Sequence, residues 1–299
     1  NVVIVGGGPA GLECARIAAS RGHKVTLLEQ MKRLGGTALF SSLTTPKNGE
    51  LIKWFETVLE DSEVEIRKGF HADGESIMSL KPDAVVIATG SRSSKSDIKG
   101  SDLPHVLSRD QLRGLMQGAE SAYRHENSSK SNFLLLQIAK KLGILKNIEK
   151  IRLLSKFWMP LGKRVTIIGG GLVGIELSHF LSERKRLVTV VEKKPIMAPE
   201  MAHPRRWRTL HEITSSNVEL HNGVEVVEIN KNSVVCIKDA EEFEIFTDSV
   251  ILAEGIEEDK TLIEQLTDLE VETHIIGDAE SIGYIEGAIR SGNKVGQLL

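Results

Sequence analysis

Cysteine is scarce in this chain of 299 residues, which contains two, Cys14 and Cys236, far apart in the sequence. Two isolated cysteines form neither a disulfide framework nor the CxxC spacing of metal, cluster and redox sites. The sequence therefore excludes a disulfide-stabilised secreted domain. Sparse and unpaired cysteine is typical of the cytoplasm, so we expect the protein to be cytoplasmic.

Neither sign of charge dominates, because 38 Lys and Arg residues stand against 41 Asp and Glu residues and give a formal net charge of −3. A surface that neutralises a phosphate backbone needs an excess of Lys and Arg, so we expect no nucleic-acid partner. Long apolar runs are missing as well, since none approaches the roughly 18 to 20 residues that cross a bilayer. The nine histidines are scattered without metal-ligand spacing, and we predict no metal site.

The chain opens directly on the apolar strand pattern Val2 to Val5, and no secretory signal precedes this strand. Natural chains seldom begin so abruptly. We therefore expect the sequence to be a fragment of a longer protein, cut just before its first strand.

Glycine, by contrast, forms two tight clusters, at residues 6–11 and 169–174, within two segments that share one plan, Val2–Glu29 and Val165–Glu192. Each segment contains an apolar strand, a glycine turn, a helix and a second apolar strand that ends in glutamate. The first glycine of the turn and the closing glutamate are 23 positions apart in both segments. This internal repeat predicts two βαβ units, and the length of the chain fits about two domains.

The first turn reads Gly-Gly-Gly-Pro-Ala-Gly over residues 6–11 and matches the fingerprint of a dinucleotide site. Gly6 allows the tight turn, Gly8 lets the backbone approach a pyrophosphate, and Gly11 permits close packing of helix and strand. The N–H groups at the start of the helix face the phosphates, and the closing carboxylate accepts hydrogen bonds from a ribose. The residues predicted here are Gly6, Gly8, Pro9, Ala10, Gly11, Glu29 and Gln30.

The second turn, over residues 169–174, repeats this arrangement and predicts a second nucleotide site. The carboxylate of Glu192 would repel a 2′-phosphate, which favours NAD(H) over NADP(H). Lys193 and Lys194 follow immediately and soften that repulsion. The residues predicted at this site are Gly169, Gly171, Leu172, Val173, Gly174, Glu192 and Gly255.

Between and after the repeats, the apolar patterns predict further elements. A helix is predicted around Glu50–Leu59. Strands are predicted at Val64–Phe70, Ala84–Ala88 and Ser249–Ala253, and a β-meander is predicted from Val218–Leu220, Val224–Ile229, Val234–Ile237 and Phe243–Phe246.

Residues 108–160 differ in composition from the rest of the chain. A polar stretch leads into a basic amphipathic run with Leu134, Ile138, Leu142 and Leu145 on one face. We interpret this region as a linker or a pair of docking helices over a neighbouring domain. A helix on a membrane surface is the weaker alternative, because no second anchoring signal accompanies it.

Together with Ala88-Thr89-Gly90, Leu252–Gly255 and Ile276–Ala279, the fingerprints resemble the flavoproteins of the pyridine nucleotide–disulfide oxidoreductase superfamily. Residues 22–26, 34–36, 160–164 and 201–206 are most similar to one subgroup. That subgroup is the C-terminal FAD/NAD(P)-binding half of the multidomain NADH:flavin oxidoreductases, relatives of 2,4-dienoyl-CoA reductase, 2-enoate reductase and trimethylamine dehydrogenase.

The resemblance implies an α/β fold of two Rossmann-like domains in three layers with a β-meander, the NAD(P) domain being inserted into a split FAD domain. The implied FAD domain is 1–107 plus 256–299, the helical linker 108–160 and the NAD(P) domain 161–255. It also implies that Glu176 lies near the nicotinamide, although an ordinary exposed glutamate on a helix fits the sequence equally well. The resemblance also implies that Asp278 contacts FAD, whereas a simpler interpretation of this residue is the N-cap of the last helix. The further FAD-site residues that the resemblance implies are Gly36, Thr37, Ala72, Ala88, Thr89, Gly90, Gly277 and Asp278.

The activity implied is transfer of hydride from NAD(P)H to FAD and onward to an FMN and iron–sulfur barrel domain absent from this chain, or to an acceptor protein. Such chemistry belongs to the cofactors, so we predict no catalytic side chain. Without a cysteine pair, disulfide reduction is excluded. Two alternatives remain open: a non-catalytic module with ADP in place of FAD, and a stand-alone enzyme similar to a ferredoxin reductase.

Overall fold

The computed structural model describes residues 1–112, 147–266 and 271–299. The chain divides into two compact units, the first formed by Asn1–Arg92 with Ile256–Leu299 and the second by Ser93–Gly255. The second unit is therefore an insertion in the sequence of the first. The amphipathic run predicted over residues 134–145 lies outside the described residues.

A five-stranded parallel sheet forms the centre of the first unit. Its strands are β1 (Val2–Val5), β2 (Val25–Glu29), β3 (Glu65–Lys68), β4 (Ala84–Ile87) and β15 (Glu272–Ile275), and their order across the sheet is β15-β4-β1-β2-β3. Every residue of β1, β2 and β4 is buried. Strands that are buried along their whole length are typical of a parallel sheet that is covered on both faces.

Helices surround this sheet. They are α1 (Pro9–Ser20), α2 (Gly36–Ser41), α3 (Lys47–Glu60), α4 (Gly74–Met78), α8 (Thr261–Leu266) and α9 (Tyr284–Leu298), with a short 3-10 helix at Gly277–Ala279. The helix predicted at Glu50–Leu59 corresponds to α3. Proline at the first position of α1 is favourable, because the first N–H groups of a helix have no partner within it.

Helices α1 and α9 pack closely through glycine. A Cβ atom built on Gly292 would lie 2.3 Å from the carbonyl oxygen of Ala10, so only glycine permits this approach. The carboxylate of Glu13, which is buried between the two helices, accepts hydrogen bonds from Arg16 at 2.8 Å and from Asn293 at 2.8 Å. Burial raises the pKa of this carboxyl, but the hydrogen bonds from Arg16 and Asn293 outweigh burial and leave its pKa lowered.

The second unit contains its own five-stranded parallel sheet. Its strands are β6 (Val106–Ser108), β7 (Arg164–Ile168), β8 (Leu187–Glu192), β9 (Val218–Asn222) and β13 (Ser249–Leu252), in the order β6-β13-β7-β8-β9. The helices described in this unit are α5 (Ile148–Leu154), α6 (Leu172–Ser182) and α7 (His203–Thr214).

An antiparallel meander of three strands completes this unit: β10 (Glu225–Ile229), β11 (Ser233–Lys238) and β12 (Glu241–Phe246). The prediction that Val218–Leu220 belongs to the meander is wrong. These residues lie in β9, which pairs in parallel with β8 through Val188 and Val218. Helix α7 connects the two strands, and such a crossover is what a parallel pair requires.

The resemblance implies a first domain that extends to residue 107, whereas residues 93–107 lie in the second unit. The reason is β6, which pairs in parallel with β13 and forms the edge of the second sheet. The short strands β5 (Ser91–Ser93) and β14 (Ile256–Glu258) pair with each other. Among the described residues, no helix combines the length and apolarity that a membrane crossing requires.

Candidate dinucleotide-binding sites

The predicted FAD-site residues follow the carboxyl ends of neighbouring strands in the first sheet. Because parallel strands end at the same edge, Gly6 after β1 meets Ala88 after β4. A Cβ on Gly6 would lie 2.2 Å from the Ala88 carbonyl oxygen, and the φ of Gly6 is +113°. Glycine is therefore required at this turn.

The three glycines of the first fingerprint have distinct environments. A Cβ on Gly11 would lie 1.9 Å from the carbonyl oxygen of Gly6, so this glycine permits the contact between α1 and the turn. A Cβ on Gly8 would meet no atom within 4 Å. Gly8 is the N-cap residue of α1, and no side chain caps the helix there. The open space at Gly8 is where a diphosphate would meet the helix N-terminus.

Glu29 is fixed at the end of β2 by two backbone donors. Its Oε2 accepts a hydrogen bond from the N–H of Gly7 at 2.6 Å, and its Oε1 accepts one from the N–H of Met31 at 2.6 Å. The residue is 5% exposed. The sequence predicts the carboxylate but not its bond to Gly7, because nothing in the pattern indicates which N–H it accepts from.

Two further glycine segments lie beside this turn. The N–H of Gly35 donates to the carbonyl of Gly7 at 2.7 Å, and a Cβ on Gly36 would lie 3.1 Å from the Cα of Gly8. On the other side, a Cβ on Gly277 would lie 2.8 Å from the Cβ of Ala10. The structure therefore brings Gly36 and Gly277 to the fingerprint.

Asp278 follows Gly277 and is half-buried. Its Oδ1 accepts a hydrogen bond from the N–H of Gly283 at 3.0 Å. Gly283, not Asp278, is the N-cap residue of α9, so the simpler interpretation of Asp278 is wrong. The aspartate instead holds the loop that leads into α9.

Other predicted residues lie at the margin of the turn. Gln30 and Thr37 are exposed, and Ala72 packs against the apolar cluster that contains Val3 and Val5. The hydroxyl of Thr89 donates to a backbone carbonyl, that of Asp259, at 3.3 Å.

The second fingerprint repeats the geometry of the first. Gly169 has a φ of +107°, and a Cβ on it would lie 2.9 Å from the backbone nitrogen of Glu254, after β13. A Cβ on Gly174 would lie 1.9 Å from the carbonyl oxygen of Gly169. Glu192 accepts hydrogen bonds from the N–H groups of Gly170 at 2.7 Å and Lys194 at 2.8 Å. The two acidic residues thus hold their turns in the same way.

One contact distinguishes the second fingerprint from the first. The N–H of Leu172, at the start of α6, donates to the Oε2 of Glu200 at 3.2 Å. The carboxylate oxygens of Glu200 are also the atoms nearest to a Cβ on Gly171, at 3.6 and 3.7 Å. The sequence contains no signal for this contact, since Glu200 lies in a loop without periodicity.

Charged groups are concentrated around the second turn. Glu176 of α6 forms an ion pair with Arg205 of α7 at 2.5 Å, and Lys193 forms one with Glu225 at 2.6 Å. Burial, reinforced by the charge of Glu192, raises the pKa of the Glu254 carboxyl.

A cavity of about 510 Å³ opens at the carboxyl edge of the second sheet. Cavities of this size are typical of small-molecule sites. Gly255, with a φ of +72°, lies at its wall, and a Cβ there would lie 2.1 Å from the hydroxyl of Ser94. Its lining includes Ser93, Ile168, Val191, Lys193, Glu254 and Gly255.

Both cysteines are core residues. Cys14 of α1 and Cys236 of β11 are fully buried. Burial raises the pKa of the Cys14 thiol to about 12 and that of the Cys236 thiol to about 11. Thiols with such pKa values are poor nucleophiles. Within residues 1–112, 147–266 and 271–299, no three His, Cys, Asp or Glu side chains are grouped to hold a metal ion.

In each of the two parallel sheets, one strand leads through a glycine turn into a helix N-terminus, and a carboxylate at the end of the next strand holds that turn. This arrangement defines a protein with two Rossmann-like dinucleotide-binding units. The family described as pyridine nucleotide-disulphide oxidoreductase matches residues 1–280, and the chain belongs to this family. The resemblance and the fold class predicted from the fingerprints are confirmed. Membership implies binding of FAD and of NAD(P).

Individual relatives agree with this assignment. The chain is 32% identical over 301 residues to an NADH oxidase of Thermoanaerobacter brockii, covering 99% of this chain and 40% of that protein. It is 29% identical over 303 residues to a bilirubin reductase of Mediterraneibacter gnavus, covering 100% of this chain and 41% of that protein. The chain thus spans about 40% of the length of these curated relatives.

Among solved structures, a 2-naphthoyl-CoA reductase in complex with 2-naphthoyl-CoA superposes with a TM-score of 0.79 at 25% sequence identity. The match covers 99% of this chain and 39% of that chain. The two-unit architecture is therefore shared with part of a larger reductase.

Proposed function

We propose that this chain is the FAD- and NAD(P)H-binding module of an oxidoreductase, in which hydride passes from the nicotinamide to the flavin. The observation that carries the proposal is the repeated geometry of the two fingerprints. In each, a glycine turn presents a helix N-terminus to phosphate, and a carboxylate bonded to that turn lies at the ribose position. Each unit would hold one dinucleotide, and the cofactors supply the redox chemistry.

The residues of the first unit fit the ADP part of FAD. A Cβ on Gly8 would meet no atom within 4 Å, and this open space would admit a pyrophosphate against the backbone. Glu29 would accept hydrogen bonds from the adenosine ribose. Gly36 would pack beside the pyrophosphate, and Asp278 would face the ribityl or pyrophosphate portion.

Further FAD contacts are proposed for the margin of this site. The loop at 88–90 would line the flavin side, and Gln30, Thr37 and Ala72 would contact the cofactor from the periphery.

The residues of the second unit fit a nicotinamide dinucleotide, and we propose NADH as the preferred donor. Glu192 would accept a hydrogen bond from the 2′-hydroxyl of NAD, whereas a 2′-phosphate would meet its negative charge. Lys193 is paired with Glu225 at 2.6 Å, and this carboxylate offsets part of the lysine's charge. Gly255 and Glu176 would lie toward the nicotinamide half.

The route of the electrons beyond FAD is also part of the proposal. Because the chain spans about 40% of the length of its relatives, the natural partner would be a further domain of the same polypeptide. We infer a domain that contains FMN and an iron–sulfur cluster, with a separate acceptor protein as the alternative.

An anaerobic titration tests this function. The purified chain is reconstituted with FAD, and NADH is added while the absorbance of oxidised flavin is followed. The expected result is stoichiometric binding of FAD and its reduction by NADH, with a higher kcat/KM for NADH than for NADPH. Binding of ADP without uptake of FAD would instead identify a non-catalytic nucleotide module. Bound FAD that neither dinucleotide reduces would refute the proposed hydride transfer.

A further inference from the structure

The two fingerprints have the same plan, but the space in front of them differs. At the first, no atom lies within 4 Å of a Cβ on Gly8. At the second, the equivalent glycine is Gly171, and the nearest atoms are the carboxylate oxygens of Glu200 at 3.6 and 3.7 Å. The second glycine of this fingerprint is the one that a pyrophosphate approaches. A carboxylate of the protein therefore lies where the first unit has open space.

Glu200 also makes the bond that a phosphate would make. Its Oε2 accepts a hydrogen bond from the N–H of Leu172 at 3.2 Å, at the start of the 11-residue helix α6. The N-cap residue of this helix is Gly171, which has no side chain that could cap it. An anion at a helix N-terminus is favourable because it faces free N–H groups and the positive end of the helix dipole.

The loop that carries Glu200 is fixed on the fingerprint itself. The N–H of Ala198 donates to the carbonyl of Gly170 at 2.7 Å, and a Cβ on Gly170 would lie 2.2 Å from the sulfur of Met197. Met197 and Met201 are both buried. These contacts hold the loop on both sides of Glu200, so the carboxylate is positioned by the fold although its side chain is exposed.

We propose that Glu200 is an intramolecular competitor for the pyrophosphate of the dinucleotide in the second unit, and that it leaves the N-terminus of α6 when the dinucleotide binds. The proposal rests on the function proposed above for this unit. While Glu200 occupies the N-terminus of α6, the site cannot bind a pyrophosphate. The apparent affinity for the dinucleotide is therefore lowered in proportion to the fraction of molecules in which the N-terminus is free. The second unit would then exchange its ligand readily, as a diffusible hydride donor requires, while the open first unit retains its cofactor.

The test compares the wild-type chain with Glu200→Gln and with the control Glu212→Gln, which removes an equal charge from an exposed position of α7. Calorimetry measures binding of ADP-ribose, which contains the pyrophosphate but carries no hydride. Stopped-flow measurements give the dissociation constant of NADH and the rate of flavin reduction at saturation.

We expect Glu200→Gln to bind ADP-ribose and NADH roughly two- to fivefold more tightly. The reason is that a carboxylate at a helix N-terminus is stabilised there by between a fraction of a kcal/mol and about 1 kcal/mol. The reduction rate at saturation should not change, and Glu212→Gln should match the wild type. Equal affinities in all three proteins, or weaker binding by Glu200→Gln, would overturn the proposal while the proposed function stood. If no variant binds either ligand, the nucleotide site itself is refuted, and the inference with it.

Discussion

A methyl group added at Gly8 separates cofactor binding from folding in the first unit. In Gly8→Ala the new methyl meets no protein atom within 4 Å, and the φ of −79° suits any residue. Alanine is a poorer N-cap than glycine by roughly 0.5 kcal/mol. Alanine also restricts the unfolded chain, and this effect stabilises the folded protein by about 0.4 to 1 kcal/mol. The free energy of unfolding of the FAD-free variant should therefore stay within roughly 0.5 kcal/mol of the wild type.

The same methyl occupies the space that the proposed pyrophosphate needs. Loss of one charge-assisted hydrogen bond costs about 1.5 to 3 kcal/mol, which corresponds to roughly ten- to hundredfold weaker binding of FAD. Calorimetric titration of the FAD-free protein measures this affinity, and urea unfolding measures stability.

Gly11→Ala is the matched control for this prediction. Its methyl would lie 1.9 Å from the carbonyl oxygen of Gly6, and overpacking of this kind costs about 1 to 3 kcal/mol of stability. Gly11→Ala should thus lose both stability and FAD. Wild-type affinity for FAD in Gly8→Ala would refute the proposed pyrophosphate position, and wild-type stability in Gly11→Ala would refute the close packing at the turn.

Three further outcomes are expected. In α9, Gly292→Ala should be less stable than Gly287→Ala to urea, because the first methyl would clash with α1 whereas the second meets no atom within 4 Å and gains helix propensity; equal stabilities would contradict this packing. Since the pKa of Glu13 is lowered in the folded state, its stabilisation is present above its unfolded-state pKa and is lost as pH falls through the folded-state pKa. The difference in unfolding free energy between wild type and Glu13→Gln should therefore shrink as the pH falls from about 7 to about 3. A difference that stays constant over this range would count against a lowered pKa of Glu13. Cys14 and Cys236, with raised pKa values, should react with a thiol reagent only in denaturant, so that rapid labelling of the native protein would argue against their burial.

The parts of the fold that the sequence predicts are those with a fixed spacing. The positions of Gly6, Gly8 and Gly11 follow from the geometry of one turn between a strand and a helix, so spacing alone indicates their separate environments. Glu29 ends a buried strand, and its place at the sheet edge follows from the repeat. Neither prediction needs knowledge of distant contacts.

The contacts that the sequence does not predict join positions without a shared pattern. Glu200 lies 28 residues after Leu172 in the chain, in a loop whose path depends on the burial of Met197. Residues 93–107 belong to the second unit because three residues of β6 pair with β13, and so short a strand carries little periodicity. The bond between Asn293 and Glu13 joins the two ends of the chain, across 280 positions.

The bond from the N–H of Gly170 to Glu192 has a consequence for protein engineering. The usual way to change a preference between NAD and NADP is to replace the acidic residue after the second strand with a neutral or basic one. In this chain the same carboxylate accepts hydrogen bonds from Gly170 and Lys194, so a replacement would also release the turn that presents the helix to the phosphates. A successful change of donor would therefore have to provide a new acceptor for Gly170. Under the proposed function, one carboxylate both selects the donor and holds the turn, so a single substitution of Glu192 changes both properties at once.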